Sequence, residues 1–238
     1  MKISDLWGKF ENDTLYIVGT GPSVRYFDFS FLVGKFSLGL NLAYKLPGFQ
    51  PTWSITIHPE LIPTSPQPLL EKGRWLTKIK GKSFPGSPIE KASYIFQNNH
   101  DVKDFSYCKN DWSQKLYVGR GIHTGALCFA AKAGFKTAVL IGCDFSEANG
   151  VHHGLDQHTQ FHGLTPTQVY NEYYQNLVKL RSELFALYGL QILSLSPILG
   201  ESQYIDENAA LQLLHQKPEP ILQQQADISS YNRQSVDF

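Results

Sequence analysis

The chain has 238 residues, enough for one sizeable core with a small appendage, and its 21 basic side chains balance 21 acidic ones. No global field therefore gathers nucleic acid or anionic lipid, and neither is expected as a partner. No run approaches the roughly 18 apolar residues of a membrane span, and the polar residues of MKISDLWGKF break up the apolar core that a signal peptide requires, so a cytoplasmic protein is expected.

Along the chain, short apolar runs alternate with helical patterns. LYIVG (15–19), FSLGLN (36–41), WSITI (53–57), SYIFQ (93–97), AVLIG (138–142) and LQILSLS (190–196) are rich in branched or aromatic residues and close on Gly, Pro or polar residues, as strands do. Their near-continuous apolarity implies burial on both faces, as in a parallel sheet covered by helices. One helix is expected over TGALCFAAKAG (124–134), ended by Gly134. A longer one follows in PTQVYNEYYQNLVKLRSELFALYG, with Thr165 as N-cap, Pro166 in the first turn, Gln168 completing a capping box and Gly189 as the left-handed stop. Val169, Tyr173, Leu177, Leu180, Leu184 and Leu187 recur at helical spacing and form its apolar stripe.

The alternation predicts an α/β fold of Rossmann-like type, a mostly parallel sheet with helices on both faces, over residues 1–206. Within it, 59–88 reads as an irregular excursion and 146–165 as a His-rich lid loop; 207–238 reads as a polar, Gln-rich C-terminal tail with a terminal helix. Cys108, Cys128 and Cys143 are odd in number and widely spaced in apolar surroundings, which suits reduced core thiols better than disulfides or a metal site.

Ligands of open parallel sheets bind beyond the carboxyl ends of the strands, and four polar sites fall there. After the first strand, Gly19, Thr20, Gly21, Pro22 and Ser23 make a turn whose glycines let amides approach an anion and whose serine adds a hydroxyl; a plain structural turn fits the same residues. Its spacing is neither the three-glycine dinucleotide fingerprint nor the lysine-bearing P-loop. Arg120, His123, Thr124 and Gly125 form a second turn opening a helix, where Arg120 is placed to pair a phosphate. Asn41 ends FSLGL, where its amide can read a base edge, and Asp144 follows AVLIG, where it can accept from a ribose or substrate hydroxyl. His58 and Glu60 at the end of WSITI can contact an acceptor, hold Arg74, or form a simple turn on Pro59.

Four of the eight histidines, His152, His153, His158 and His162, lie in NGVHHGLDQHTQFHG together with Asp156. They can be solvated loop residues. His158 or His162 can also act as a general base, since imidazole titrates near working pH, and the pair with Asp156 is an incomplete Zn or Ni set.

The order GTGPS, a strand ending in Asn41, IHTG opening a helix, LIGCDFS and LSLSP resembles the bacterial sialyltransferases that use CMP-sialic acid. It resembles equally the uncharacterised and motility-associated proteins related to the archaeal 6-hydroxymethylpterin diphosphokinase. The resemblance runs from residue 15 to about 205 and implies a nucleotide held by the two turns, with a loop histidine as base. Thr20 stands where the family turn has Asn, and His123 where the sialyltransferases have a second hydroxyl residue. The implied function is a sialyltransferase-like glycosyltransferase that moves a sugar from a nucleotide-sugar donor, CMP-linked in the family, to a hydroxyl acceptor without a required metal. The alternatives are a diphosphokinase using ATP and Mg²⁺, with Asp144 and Glu147 near the phosphates, and a non-catalytic nucleotide-binding module. A homo-oligomer is compatible with either.

Overall fold

The computed structural model describes residues 3–21, 23–24, 27–58, 75–78, 93–99, 115–119, 121–145 and 166–195. These form one eight-stranded sheet in the order β6-β5-β4-β3-β2-β1-β7-β8. The strands are β1 (Thr14–Val18), β2 (Ser37–Leu40), β3 (Trp53–Thr56), β4 (Trp75–Lys78), β5 (Ser93–Asn99), β6 (Lys115–Tyr117), β7 (Thr137–Ile141) and β8 (Gln191–Ser194). Every pairing is parallel. The chain thus has the α/β Rossmann-like fold that the alternation of its sequence implies.

The central strands β1, β2, β3 and β7 are buried at nearly every position, which is why they read as unbroken apolar runs. Among the described residues, two α-helices cover one face. α1 (Ile122–Ala133) carries the chain from β6 at one edge to β7 beyond β1, so it must cross the sheet, and it packs against β6, β3, β2, β1 and β7. All of its residues are buried, and Gly125, Ala126, Ala130 and Ala133 keep it thin enough to lie close to the strands. Gly134, at φ 96°, ends it by donating its N–H to the Ala130 and Ala131 carbonyls. α2 (Pro166–Tyr188) packs on α1 and on β8 and stops at Gly189, φ 65°. Of the expected stripe, Val169, Leu177, Leu180 and Leu184 are buried, while Tyr173 and Leu187 are half-buried.

Right-handed crossovers place α1 and α2 on the same face, and the β1-to-β2 and β2-to-β3 connections, which run the other way, on the opposite one. Those connections contain short 3₁₀ helices, Phe29–Leu32 and Ala43–Lys45. Asp28 caps the first, its carboxylate accepting from the Ser30 amide and hydroxyl at 2.9 Å each.

Two strands escape the sequence reading. β4 lies within residues 59–88, where the sequence predicts an irregular excursion, and β6 lies in a stretch with no expected strand. WLTK and KLY are too short, and too mixed with Lys and Thr, to show a period. The ends of the strands differ in chemistry. At the amino ends Phe10 stacks on Phe135 at 4.8 Å and meets Trp53 edge-on at 5.4 Å, with Phe36 and Phe129 beside them. The carboxyl ends carry glycines and polar residues instead.

Candidate functional site

β1 leads towards β2 on one side, and β7 leads towards β8 on the other. The strands lie side by side, with Val18 beside Ile141, so the order of connections reverses between them. At such a switch point the loops diverge and leave a crevice beyond the carboxyl ends. A cleft of about 170 Å³ lies there, bordered by the turns after β1 and β7, by Asn41 after β2, and by the first turn of α1. Tyr170 and Tyr173 of α2 complete its described walls.

The two turns interlock. The Gly19 N–H donates to the Ile141 carbonyl at 2.7 Å and the Gly21 N–H to the Gly142 carbonyl at 2.8 Å. A side chain at Gly19 would bring its Cβ well under 3.0 Å from the Gly142 carbonyl, and one at Gly21 would do the same against the Asp144 carboxylate. These glycines are therefore fixed by close backbone approach. Their amides, which the sequence offered to an anion, are engaged within the protein. Asp144, 1% exposed, accepts from the Ser23 amide at 2.7 Å and the Ser23 hydroxyl at 2.6 Å, a clasp between residues 121 positions apart. Such short charge-assisted bonds are strong, and they hold the carboxylate in one orientation at the cleft.

Asn41 sits at φ 50°, a left-handed conformation that Asn tolerates. Its N–H donates to the Ile55 carbonyl at 2.9 Å, and its Oδ1 accepts from the Thr56 hydroxyl at 3.0 Å. The same hydroxyl accepts from the His58 amide at 2.9 Å, so His58 helps to set Asn41 from behind. With Oδ1 fixed, the side-chain amide nitrogen is the group available to a ligand.

His123 also lines the cleft although only 3% exposed. Its ring lies 4.8 Å from that of Phe145 and 5.5 Å from that of Tyr173. Gly121, at φ 108°, makes room for it, because a Cβ there would meet the imidazole at 2.7 Å. Burial pushes the imidazole down to about 4, against a smaller upward effect of the Tyr173 backbone, so the ring is neutral near pH 7. Its Nε2 has no hydrogen-bond partner. Beside it, the Cys143 thiol is pushed up by burial and by the Asp144 charge, against the Gly19 backbone, and stays protonated.

The structure brings together Gly19, Thr20, Gly21, Asn41, His123 and Asp144 around the cleft. Ser23 is tied to it through Asp144. Thr124 and Gly125 face elsewhere: the Thr124 hydroxyl donates to the Gly121 carbonyl at 2.8 Å and accepts from the Gly119 amide at 2.9 Å, while Gly125 lies against Val118. The helix opening is thus built by Thr124 without a free hydroxyl for an anion. Pro22, Arg120, His158 and His162 lie outside the described residues, as do Glu60, Arg74, Glu147, Asp156 and Cys108. The sequence reading missed Gly142 and Phe145. Gly142 at φ 65° packs under Val24, and Phe145 at φ 46° walls the cleft. A glycine directly after a buried strand was the available signal for the first; nothing local marks the second.

Among the described residues no helix is long and apolar enough to cross a membrane, and no group of three or more His, Cys, Asp or Glu residues is placed to hold a metal ion. No family model matches the chain, and no curated protein does. Among solved structures, the chain is similar to the MAf glycosyltransferase from Magnetospirillum magneticum AMB-1, at 14% identity and a TM-score of 0.46, over 97% of this chain and 41% of that one. It spans less than half the length of that protein. It is also similar to a mammalian sialyltransferase, at 10% identity and a TM-score of 0.36, over 76% of this chain and 69% of that one.

Proposed function

We propose that the chain is a nucleotide-binding transferase of glycosyltransferase type, sialyltransferase-like, moving a sugar from a nucleotide-sugar donor to a hydroxyl acceptor. The convergence of the β1 and β7 turns on one cleft at the switch point of a parallel sheet carries this reading. Asn41 offers an amide N–H to the nucleoside, and the held carboxylate of Asp144 accepts from a hydroxyl of donor or acceptor. Arg120, directly before Gly121 in sequence, is the candidate to pair the phosphate.

In the transfer step a loop histidine, His158 or His162, takes the proton of the acceptor hydroxyl. The acceptor oxygen bonds to the anomeric carbon, and the bond from that carbon to the phosphate oxygen breaks. The leaving nucleotide keeps the electron pair, and Arg120 offsets its charge. This step calls for no metal. In a diphosphokinase, Asp144 would be the cleft-lining carboxylate to hold Mg²⁺, through oxygens that already accept from Ser23.

A thermal-shift panel of CMP, UDP, GDP, ADP and ATP, each with and without Mg²⁺, tests this. A ligand that binds only the native state stabilises it, by about 2.7 kcal/mol at a hundred times Kd. A rise with CMP or another sugar-donor nucleotide that does not depend on Mg²⁺ is the expected result. A response to ATP alone that requires Mg²⁺ would transfer the assignment to the diphosphokinase, and no response at all would remove it.

A further inference from the structure

His123 lines the cleft although it is almost wholly buried, and its surroundings single it out. The ring is held between Phe145 and Tyr173, over a glycine whose Cβ would collide with it. The packing therefore fixes the ring, but no protein group satisfies its Nε2. Leaving a buried polar atom unpaired is costly, so an unpaired one on a residue that lines a cleft points to a group from outside the chain. Ser54 Oγ and Thr77 Oγ1 are also unpaired, but they sit in β3 and β4 and do not line the cleft.

The rest of the lining indicates what kind of group fits. Among the described residues no Lys or Arg borders the cleft, and its titratable neighbours are Asp144 and Cys143 after β7 and Tyr170 and Tyr173 on α2. Phe145, Ile122 and Leu40 add an apolar stretch of wall beside Thr20 and Asn41. A flat group bearing an amide or hydroxyl suits the aromatic wall and carries a partner for the unpaired nitrogen.

We propose that His123 is a specificity-determining contact, its Nε2 making a hydrogen bond with an uncharged polar group of the nucleoside, on the base edge or the ribose. The proposal rests on the reading of this cleft as a nucleotide site. It gives the imidazole the task of recognition and leaves proton transfer to a different group.

The test uses the full chain with His123→Phe, His123→Gln and His123→Asn. Phenylalanine keeps the ring packing without the nitrogen, glutamine places an amide near the Nε2 position, and asparagine places one near Nδ1. Calorimetric titration is done with CMP, UMP, GMP and AMP to vary the base, and with 2′-deoxy-CMP to vary the ribose. Affinity for the best nucleotide should fall about tenfold or more in the Phe and Asn variants, as expected for one lost hydrogen bond, and should be substantially restored by Gln. Without ligand, the Phe variant should melt at or above the wild-type temperature, since the unpaired atom is gone. If loss of affinity tracks the base series, the partner is on the base; if 2′-deoxy-CMP already binds as weakly to wild type as CMP does to the Phe variant, the partner is the ribose hydroxyl. Wild-type affinity in the Phe variant overturns the proposal while the nucleotide site stands, and a clear drop in its ligand-free melting temperature overturns it by showing a structural role. A wild type that binds none of the panel overturns the nucleotide site itself.

Discussion

At the residue scale, His123 links burial to pH. Its folded-state value of about 4 lies below the ordinary 6.5, so between those values the unfolded chain binds a proton that the folded chain refuses. The folded state therefore loses stability as pH falls from 6.5 towards 4, at about 1.4 kcal/mol per unit and on the order of 3 kcal/mol in all. Urea denaturation across that range should show a shallower acid decline in His123→Phe than in wild type. The clasp between Ser23 and Asp144 gives a second expectation. Ser23→Ala removes a buried bond to a charged group and should cost about 2 kcal/mol, and Asp144→Ala should cost more because it removes the acceptor of two Ser23 bonds at once. The glycines divide by the same logic. Gly142→Ala combines positive φ with a collision against Val24 and should cost more than about 2 kcal/mol, whereas Gly48→Ala, at φ 75° in open space, should cost about 1. Gly19, Gly21, Asn41, His123 and Asp144 were legible in the sequence as strand-end residues with polar or permissive chemistry. Their roles were not, because the carbonyl that Gly21 meets belongs to a residue more than a hundred positions away.

At the scale of elements, each end of the sheet does one job. The aromatic residues at the amino ends, Phe10, Phe36, Trp53 and Phe135, seal the base of the sheet and anchor the turn after α1. Phe135 is 2% exposed, and Phe135→Ala should cost about 3–5 kcal/mol in denaturant unfolding. Nucleotide affinity should stay near wild type where the variant is folded, since the cleft is at the other end. Both helices were readable from caps and periodicity. α2 shows a one-sided stripe and a glycine stop, and α1 shows small residues and Gly134. The strands β4 and β6 were not, since four and three residues give no period to read, and their pairing with β3 and β5 decides them.

For the whole molecule, the crossing of α1 over the sheet matters most. By carrying the chain from β6 back past β1 to β7, it creates the reversal of connections at which the cleft opens. Nucleotide binding should therefore slow amide exchange around 19–21, 41 and 142–145 and leave the aromatic base unchanged; protection spread evenly over both ends would argue against a ligand at the switch point. Separate substitution of His158 and His162 by Ala, followed by donor turnover, assigns the base, and unchanged turnover in both removes that role from the loop. The layered α/β class and the two α-helices among the described residues are legible locally, because period and caps act within a few residues. The sequence by itself also determined the polar and glycine residues after the strands. Only the tertiary structure decided that β7 lies beside β1, that the glycine amides bond to each other's turns, and that a buried imidazole lacks a partner. Those facts arise from contacts between segments distant in the chain, where no local preference of a residue can specify which backbone it will meet.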